Sequence, residues 1–413
     1  MAPSKDVLSL LDSIATLRTS YENDEPGSRD SLLEQTLALL GKLEIPSEFL
    51  QRTFWAEHSK GAVIRVCVDQ KIFQHLRDAP QGLTTSELAE KTGRPWDLKL
   101  LQRYLSHLVA MHVLTLSQGK WYGTPLTNGL AEENYQKSIE FCYDTGIPSF
   151  RGMPDWTKAM GYQSPKTEID GPFQYAWKSK MPFFPWLEAH PPNVTNFAQF
   201  MSAYREGKPS WFDSGFYPVT ELLFEGFDAN YSDVLLIDVG GGRGHDLLGF
   251  AARYPSHPGR IMLQDQAAVV AAIEVAAPPF EPQVHDFFTP QQVRARAYSL
   301  HSVLHDWGDD ECVRILANLR PAMRPARPGY VRVLIFEIVV NEERPKFAST
   351  TMDLQMLAHV SALERTESDW RRLIALAGFR VVDIYTFPGV AESVIELELD
   401  DREAETAPIW AKV

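Results

Sequence analysis

The residues best placed to do chemistry in this chain begin at Val234-Leu-Leu-Ile-Asp-Val-Gly-Gly-Gly-Arg-Gly244, an apolar run that meets an acid and then a turn of glycines. Short β-branched runs such as Val234 to Ile237 form central strands of parallel sheets. Gly240, Gly242 and Gly244 remove Cβ atoms where the backbone must turn and where a ligand can touch the main chain. A helix over His245 to Tyr254 would aim its first N–H groups at that ligand. The spacing is not that of a dinucleotide site, and no Gly-Lys-Ser/Thr follows to hold a triphosphate. A second strand, Arg260 to Gln264, ends in Asp265, 21 residues beyond Gly244. An acid there suits the two hydroxyls of a ribose. Farther on, Asp286 beside Phe287 offers a carboxylate for an adenine amino group and a ring for its face. One glycine turn is a weak signal; the ordered set points to a nucleoside cofactor held without a phosphate grip.

The next chemical run is Tyr298-Ser-Leu-His-Ser-Val-Leu-His-Asp-Trp-Gly-Asp-Asp-Glu-Cys312. Together with Asp-Val-Gly-Gly-Gly-Arg-Gly and Leu-Glu-Arg-Thr (363–366), it resembles the S-adenosylmethionine-dependent O-methyltransferases of the caffeate and flavonoid type, nearest to the fungal secondary-metabolite members. The resemblance runs from about residue 50 onward. It implies that His305 is the general base and that Glu337 and Glu364 are the carboxylates that orient it. It implies further that Asp238, Gly240 and Gly242 hold the methionine side of S-adenosylmethionine, Asp265 the ribose, and Asp286 with Phe287 the adenine. Family members usually carry Lys or Arg four residues before the catalytic His; this chain has His301 there, counted with the cofactor contacts.

The physical chemistry runs parallel. A neutral hydroxyl is a poor nucleophile toward a sulfonium methyl, and a phenol, like Tyr, has a pKa near 10. A positioned base is therefore required, and histidine, ordinarily near 6.5, suits the task. A carboxylate on its far nitrogen would fix the tautomer and stabilise the imidazolium. Alignment of oxygen, methyl and sulfur supplies much of the remaining acceleration.

Elements able to position these groups follow from the pattern. Strand-and-helix alternation runs through a strand from Tyr330 to Phe336 with Glu337 at its end. A helix from Ser368 to Ala377 follows, then strands Phe379 to Phe387 and Ser393 to Leu399. This order fits an α/β fold, a class I methyltransferase-like seven-stranded doubly wound sheet with one antiparallel strand. Ligands of such sheets lie beyond the strand carboxyl ends, where Gly240, Asp265, Asp286, His305 and Glu337 all fall.

Ahead of this catalytic part (231–413), residues 51–135 read as helix, turn, helix and hairpin, a winged-helix-like module. Its second helix, Asp97 to Met111, offers only Lys99 and Arg103 as cations, too few for a phosphate footprint, and the resemblance implies dimerisation instead. Residues 1–50 carry apolar side chains at helical spacing, interrupted at Glu22 to Asp30, with a second subunit or the chain itself to cover them. Residues 136–230 form an aromatic-rich helical linker and lid. Between Phe141 and Tyr217 stand 18 of the 46 aromatic residues, about twice the density of the whole chain and a suitable lining for a flat apolar substrate. Trp186, Phe200, Met201 and Met356 are the substrate-contact candidates.

Composition narrows the class. A net charge of −14 argues against nucleic acid and against an anionic membrane surface. Three widely spaced cysteines predict free thiols, no metal and a reducing compartment. The expectation is a cytoplasmic homodimer that methylates a phenolic or enolic hydroxyl of an aromatic or polyketide-derived metabolite. The alternative is a pericyclase or dehydratase of the same fold that keeps S-adenosylmethionine bound without transferring its methyl.

Overall fold

A computed structural model of the chain describes residues 5–273, 275, 277–324 and 326–400. The chain divides into two compact units. One comprises described residues 5–13, 35–207 and 358–361, the other 14–34, 208–357 and 362–400. Among the described residues, no helix is long and apolar enough to cross a membrane.

In the first unit, helices Thr85–Thr92 and Leu98–Ala110 precede a hairpin of β1 (Thr115–Ser117) and β2 (Lys120–Tyr122). Thr84 caps the first helix reciprocally with Glu87, and Asp97 caps the second by accepting from Leu100 N–H. Leu101, Leu105 and Leu108, one helical stripe, close onto Phe73, Leu88 and Trp121 to make this unit's core. The aromatic stretch forms helices Ile147–Ala159, Pro172–Trp177, Phe183–Ala189 and Asn193–Ala203.

The second unit is built on a sheet. Its strands are β3 (Val234–Val239), β4 (Arg260–Asp265), β5 (Glu281–Val284), β6 (Ala297–His301), β7 (Arg332–Val340), β8 (Arg365–Thr366), β9 (Phe379–Thr386) and β10 (Glu392–Leu399). Seven lie in the order β5-β4-β3-β6-β7-β10-β9, and the two-residue β8 pairs with β7 outside that path. β10 runs antiparallel to both of its neighbours, while β3 to β7 are mutually parallel. The order reverses between β3 and β6, which opens a crevice at their carboxyl ends.

Every residue of β3 is buried because both faces are covered. Ile237, Val239, Val333 and Ile335 join a core with Tyr298, Ile315 and Trp370 on one face. Leu236, Leu334 and Phe336 join Trp211, Leu247 and Phe250 on the other. One expectation is corrected here. β7 begins at Arg332 and continues through Ile338-Val-Val340, so Glu337 lies inside the strand rather than at its end.

Candidate active site

The glycine turn follows β3 as expected. Gly240, Gly242 and Gly244 have φ of +73°, +59° and +83°, the left-handed region that glycine enters without strain. A Cβ at Gly241 would stand 2.4 Å from Asp238 Oδ2, and one at Gly244 2.4 Å from the Phe280 ring. Helix His245–Arg253 starts directly after the turn. Asp265, at the end of β4, accepts from Gly242 N–H at 2.9 Å through one oxygen and from Gln266 N–H at 2.7 Å through the other. Asp265 therefore shapes the turn as well as presenting a carboxylate, and burial pushes its pKa up. Asp286 is exposed, with Oδ1 accepting Phe288 N–H at 2.9 Å. A Cβ at Gly240 would lie 3.0 Å from Val303 and 3.7 Å from Phe287, so the Phe287 ring borders the turn.

These residues fit a nucleoside cofactor. Bare backbone in the turn leaves room for close approach. Asp265 keeps lone pairs for two hydroxyls, Asp286 offers its second oxygen to an amino group, and Phe287 offers a ring face. Asp238, fully buried behind the turn, accepts from Ser299 Oγ at 3.0 Å, and burial with Asp246 nearby pushes its pKa up to about 7.

His305 occupies a short turn, Leu304–Asp306, entered through Ser302 at φ +51°. The turn is held from both sides. Glu337 Oε1 accepts from the backbone N–H groups of Val303, Leu304 and His305 at 2.9, 2.8 and 3.3 Å. Arg365, 1% exposed, donates to the carbonyls of Leu304 at 3.0 Å and Trp307 at 2.8 Å and pairs with Asp309 at 3.0 Å. A single carboxylate that collects three N–H groups is an anion in a backbone nest, and the guanidinium fork supplies the opposite sign to the carbonyls.

The imidazole is equally constrained. His305 Nδ1 lies 3.0 Å from Glu364 Oε1 and 3.6 Å from Glu337 Oε2. Glu364 is itself located by its own N–H, which donates to Asp353 at 2.9 Å. With Nδ1–H donated to Glu364, Nε2 is the atom that can take a proton, and Asp306 lies 3.8 Å from it. Burial opposes the imidazolium, but Glu337, Asp306 and Glu364 outweigh it and lift His305 to about 10. Burial conversely raises Glu337 to about 7 and Asp306 to about 6. The arrangement can pull a proton from a hydroxyl and keep it. Ligand atoms of His305, Glu337 and Glu364 also lie within 4.8 Å of one another, a spacing a metal could use. Three of the available bonds there are already spent on backbone N–H groups, which fits an imidazole orienter better.

Of the substrate candidates, Trp186 is a core ring, 5.0 Å from Phe173 and stacked on His190 at 4.2 Å. Phe200, half-buried, stacks on Phe141 at 5.4 Å. Met201 is exposed, and Met356 is half-buried on helix Phe347–Val360. His301 lies 2.7 Å from Asp246. Sequence reasoning missed Asp246, Arg365 and Asp306; the last two stand inside motifs already quoted, next to Glu364 and His305. It also missed His359, buried among Phe141, Phe150, Phe173 and Phe183 at 5.5–6.3 Å. A recess of about 550 Å³ opens at the other end of the strands, at Arg260 and Glu281, and gathers none of these groups.

Comparison with known proteins identifies the family and the fold. Residues 219–380 match the O-methyltransferase domain family. The chain is 50% identical over 395 residues to O-methyltransferase mpaG' of Penicillium brevicompactum, covering 95% of this chain and 98% of that one. It superposes on LepI in complex with SAM with a TM-score of 0.85 at 24% identity, covering 96% and 100% of the two chains. A solved structure described as a pericyclic reaction enzyme gives a TM-score of 0.85 at 25% identity over 96% and 99%.

Proposed function

The chain belongs to the S-adenosylmethionine-dependent O-methyltransferases, and on that premise we propose that it methylates a phenolic or enolic hydroxyl of an aromatic or polyketide-derived metabolite, with His305 as the base. The observation that carries this reading is the buried His305–Glu364 contact of 3.0 Å, with Glu337 at 3.6 Å.

His305 Nε2 takes the hydroxyl proton while Nδ1–H stays on Glu364, which keeps the ring in one tautomer. Glu337 acts by fixing the turn that carries His305 and by adding negative charge beneath the imidazolium. Glu337, Asp306 and Glu364 raise the imidazolium above its ordinary value, which brings its basicity toward that of a phenol. Bound S-adenosylmethionine supplies the methyl group on a sulfonium that leaves as a neutral thioether. Asp265, Asp286, Phe287, Gly240, Gly242 and Asp238 would hold it.

Within the first unit, the rings of Phe141, Phe173, Trp186 and Phe200 are of the kind that suits a flat, apolar acceptor. Exposed apolar side chains on the first helices (Leu8, Leu37, Leu43, Phe49, Phe54, Trp55) support a homodimer, in which the helix–turn–helix and hairpin would be the winged dimerisation module. The free cysteines support a reducing, cytoplasmic location.

Likeness to a pericyclic reaction enzyme favours one second reading, in which the site shapes an intermediate without methyl transfer. Incubation of the protein with hydroxylated aromatic acceptors and S-adenosylmethionine separates the two. Methyl transfer adds one CH₂ unit and is lost in His305→Ala, whereas the pericyclic reading gives an isomer or a dehydrated product with the cofactor unconsumed.

A further inference from the structure

Glu364 and Arg365 are neighbours in sequence, and the base chemistry uses only the first of them. Arg365 lies in β8, paired with Val339 of β7 two residues beyond Glu337. Its buried guanidinium sits over the Trp370 ring at 5.2 Å. Trp370 is itself tied to β7, donating to the Ile338 carbonyl at 3.0 Å. Arg365 Nε donates to Asp309 Oδ1 at 3.0 Å, and Arg372 holds the other Asp309 oxygen at 2.9 Å. The fork is thereby aimed. Its terminal nitrogens reach the carbonyls on either side of His305, Nη1 to Leu304 at 3.0 Å and Nη2 to Trp307 at 2.8 Å. Cys312 Sγ lies 3.1 and 3.5 Å from the same two oxygens, but a thiol carries one proton and donates weakly.

We propose that Arg365 is a positioning residue for methyl transfer, fixing where His305 Nε2 stands by gripping the carbonyls of its turn. The proposal rests on His305 as the base. Glu337 collects the N–H groups of Val303, Leu304 and His305, which leaves their peptide planes able to rock about one carboxylate oxygen. Carbonyls held from the opposite side remove that freedom. Leu304 is gripped at both its N–H and its C=O, by Glu337 and Arg365 respectively. Both grips are referenced to β7, and Glu364 shares that frame as the residue preceding Arg365. The imidazole and the carboxylate that orients it therefore keep their 3.0 Å register as one unit. A guanidinium presents a rigid planar fork, whereas an ammonium is a point charge with no fixed fork. Misplacement of a reacting group by about 1 Å can cost on the order of a hundredfold in rate. Loss of the fork should accordingly fall on the rate and leave binding alone.

The test compares wild type, Arg365→Lys, Asp309→Ala and His305→Ala with a hydroxylated aromatic acceptor that wild type methylates. Rates are taken well below the unfolding temperature and expressed per folded molecule, and S-adenosylhomocysteine affinity is measured by calorimetry. Arg365→Lys keeps the positive charge beside Asp309 and loses the fork. Its kcat should fall about 10–100-fold, with acceptor KM and cofactor affinity within about twofold of wild type. The pH limb of His305 should stay in place, because Glu337, Asp306 and Glu364, which raise the imidazolium, are untouched. Asp309→Ala, at a side chain 37% exposed, leaves the fork unaimed and should lower kcat in the same way by a smaller factor. An Arg365→Lys protein that is less stable yet turns over at the wild-type rate would overturn the proposal, as would a loss confined to KM or cofactor affinity. Should Arg365→Lys not fold, Asp309→Ala decides, and an unchanged kcat there overturns it. His305→Ala separates the two readings. If it keeps the wild-type rate, the base assignment falls and takes this proposal with it; if it is inactive while the fork variants are not impaired, only the positioning role falls.

Discussion

Replacing Glu364 with Gln isolates what the buried carboxylate does for His305. The shapes match, and the Gln carbonyl can still accept Nδ1–H at the place where Glu364 Oε1 lies 3.0 Å away. Tautomer and ring position therefore survive, and only the charge is lost. A hydrogen bond to a charged group is worth about 1.5–3 kcal/mol and a neutral one about 0.5–1.5. The difference, roughly 1–2.5 kcal/mol, corresponds to about 1–2 pKa units. Its sign follows from the imidazolium: Glu364 favours the charged ring, so its removal lowers a His305 pKa that now stands at about 10. Glu337 and Asp306 remain and keep it above the ordinary value. The assay is single-turnover methyl transfer against pH with saturating cofactor and a fixed acceptor. Wild type should rise through the alkaline range, and Glu364→Gln should rise about 1–2 units lower. The variant's plateau should fall by at most the corresponding factor, because a weaker base drives the transfer less. Bound cofactor lowers both limbs together, so the difference between them is what counts. A limb that stays in place, or moves upward, would refute the assignment of Glu364 as the charge that holds the imidazolium.

Glu337→Ala should act differently from any change at Glu364. It strips the acceptor from the N–H groups of Val303, Leu304 and His305 and should cost about 3–5 kcal/mol of stability, read by denaturant unfolding, along with activity. Asp265→Ala should weaken cofactor binding by about 1–3 kcal/mol, because it frees Gly242 N–H as well as the ribose hydroxyls; calorimetry with S-adenosylhomocysteine measures it, and an unchanged affinity would move the ribose site elsewhere. Gly241→Ala places a Cβ 2.4 Å from Asp238 Oδ2 and should cost about 1–3 kcal/mol of cofactor affinity while the aromatic cores of the sheet remain intact by near-ultraviolet dichroism.

Much of the sheet is legible in the chain, because its inner strands β3, β6 and β7 are buried along most of their length and are rich in apolar residues. Val234–Val239 and Arg260–Asp265 differ from the sequence reading by a residue or two at their ends. Glu337 deceives because a carboxylate normally marks the exposed end of a strand; here the backbone of the neighbouring turn, remote in sequence, compensates its charge. Arg365 escapes notice for the same reason, since an arginine reads as solvated until the Leu304 and Trp307 carbonyls are found around it. Asp246 looks like an ordinary acid in a helix's first turn, and its meeting with His301 is a product of the fold alone. Motif residues were visible because their chemistry is local. Glu337 and Glu364 came from the resemblance, whereas Arg365 and Asp246 were not visible, because their partners lie far along the chain.

The most direct test of methyl transfer follows the methyl group itself. The protein is incubated with S-adenosylmethionine bearing a labelled methyl and with an aromatic extract from a source strain lacking this gene, and products are resolved by mass spectrometry. Methyl transfer with His305 as base gives a new product that carries the label on oxygen and exceeds its precursor by one CH₂ unit, formed by wild type and not by His305→Ala. An unlabelled product, isomeric with its precursor or lighter by one water and formed equally by both proteins, would contradict it.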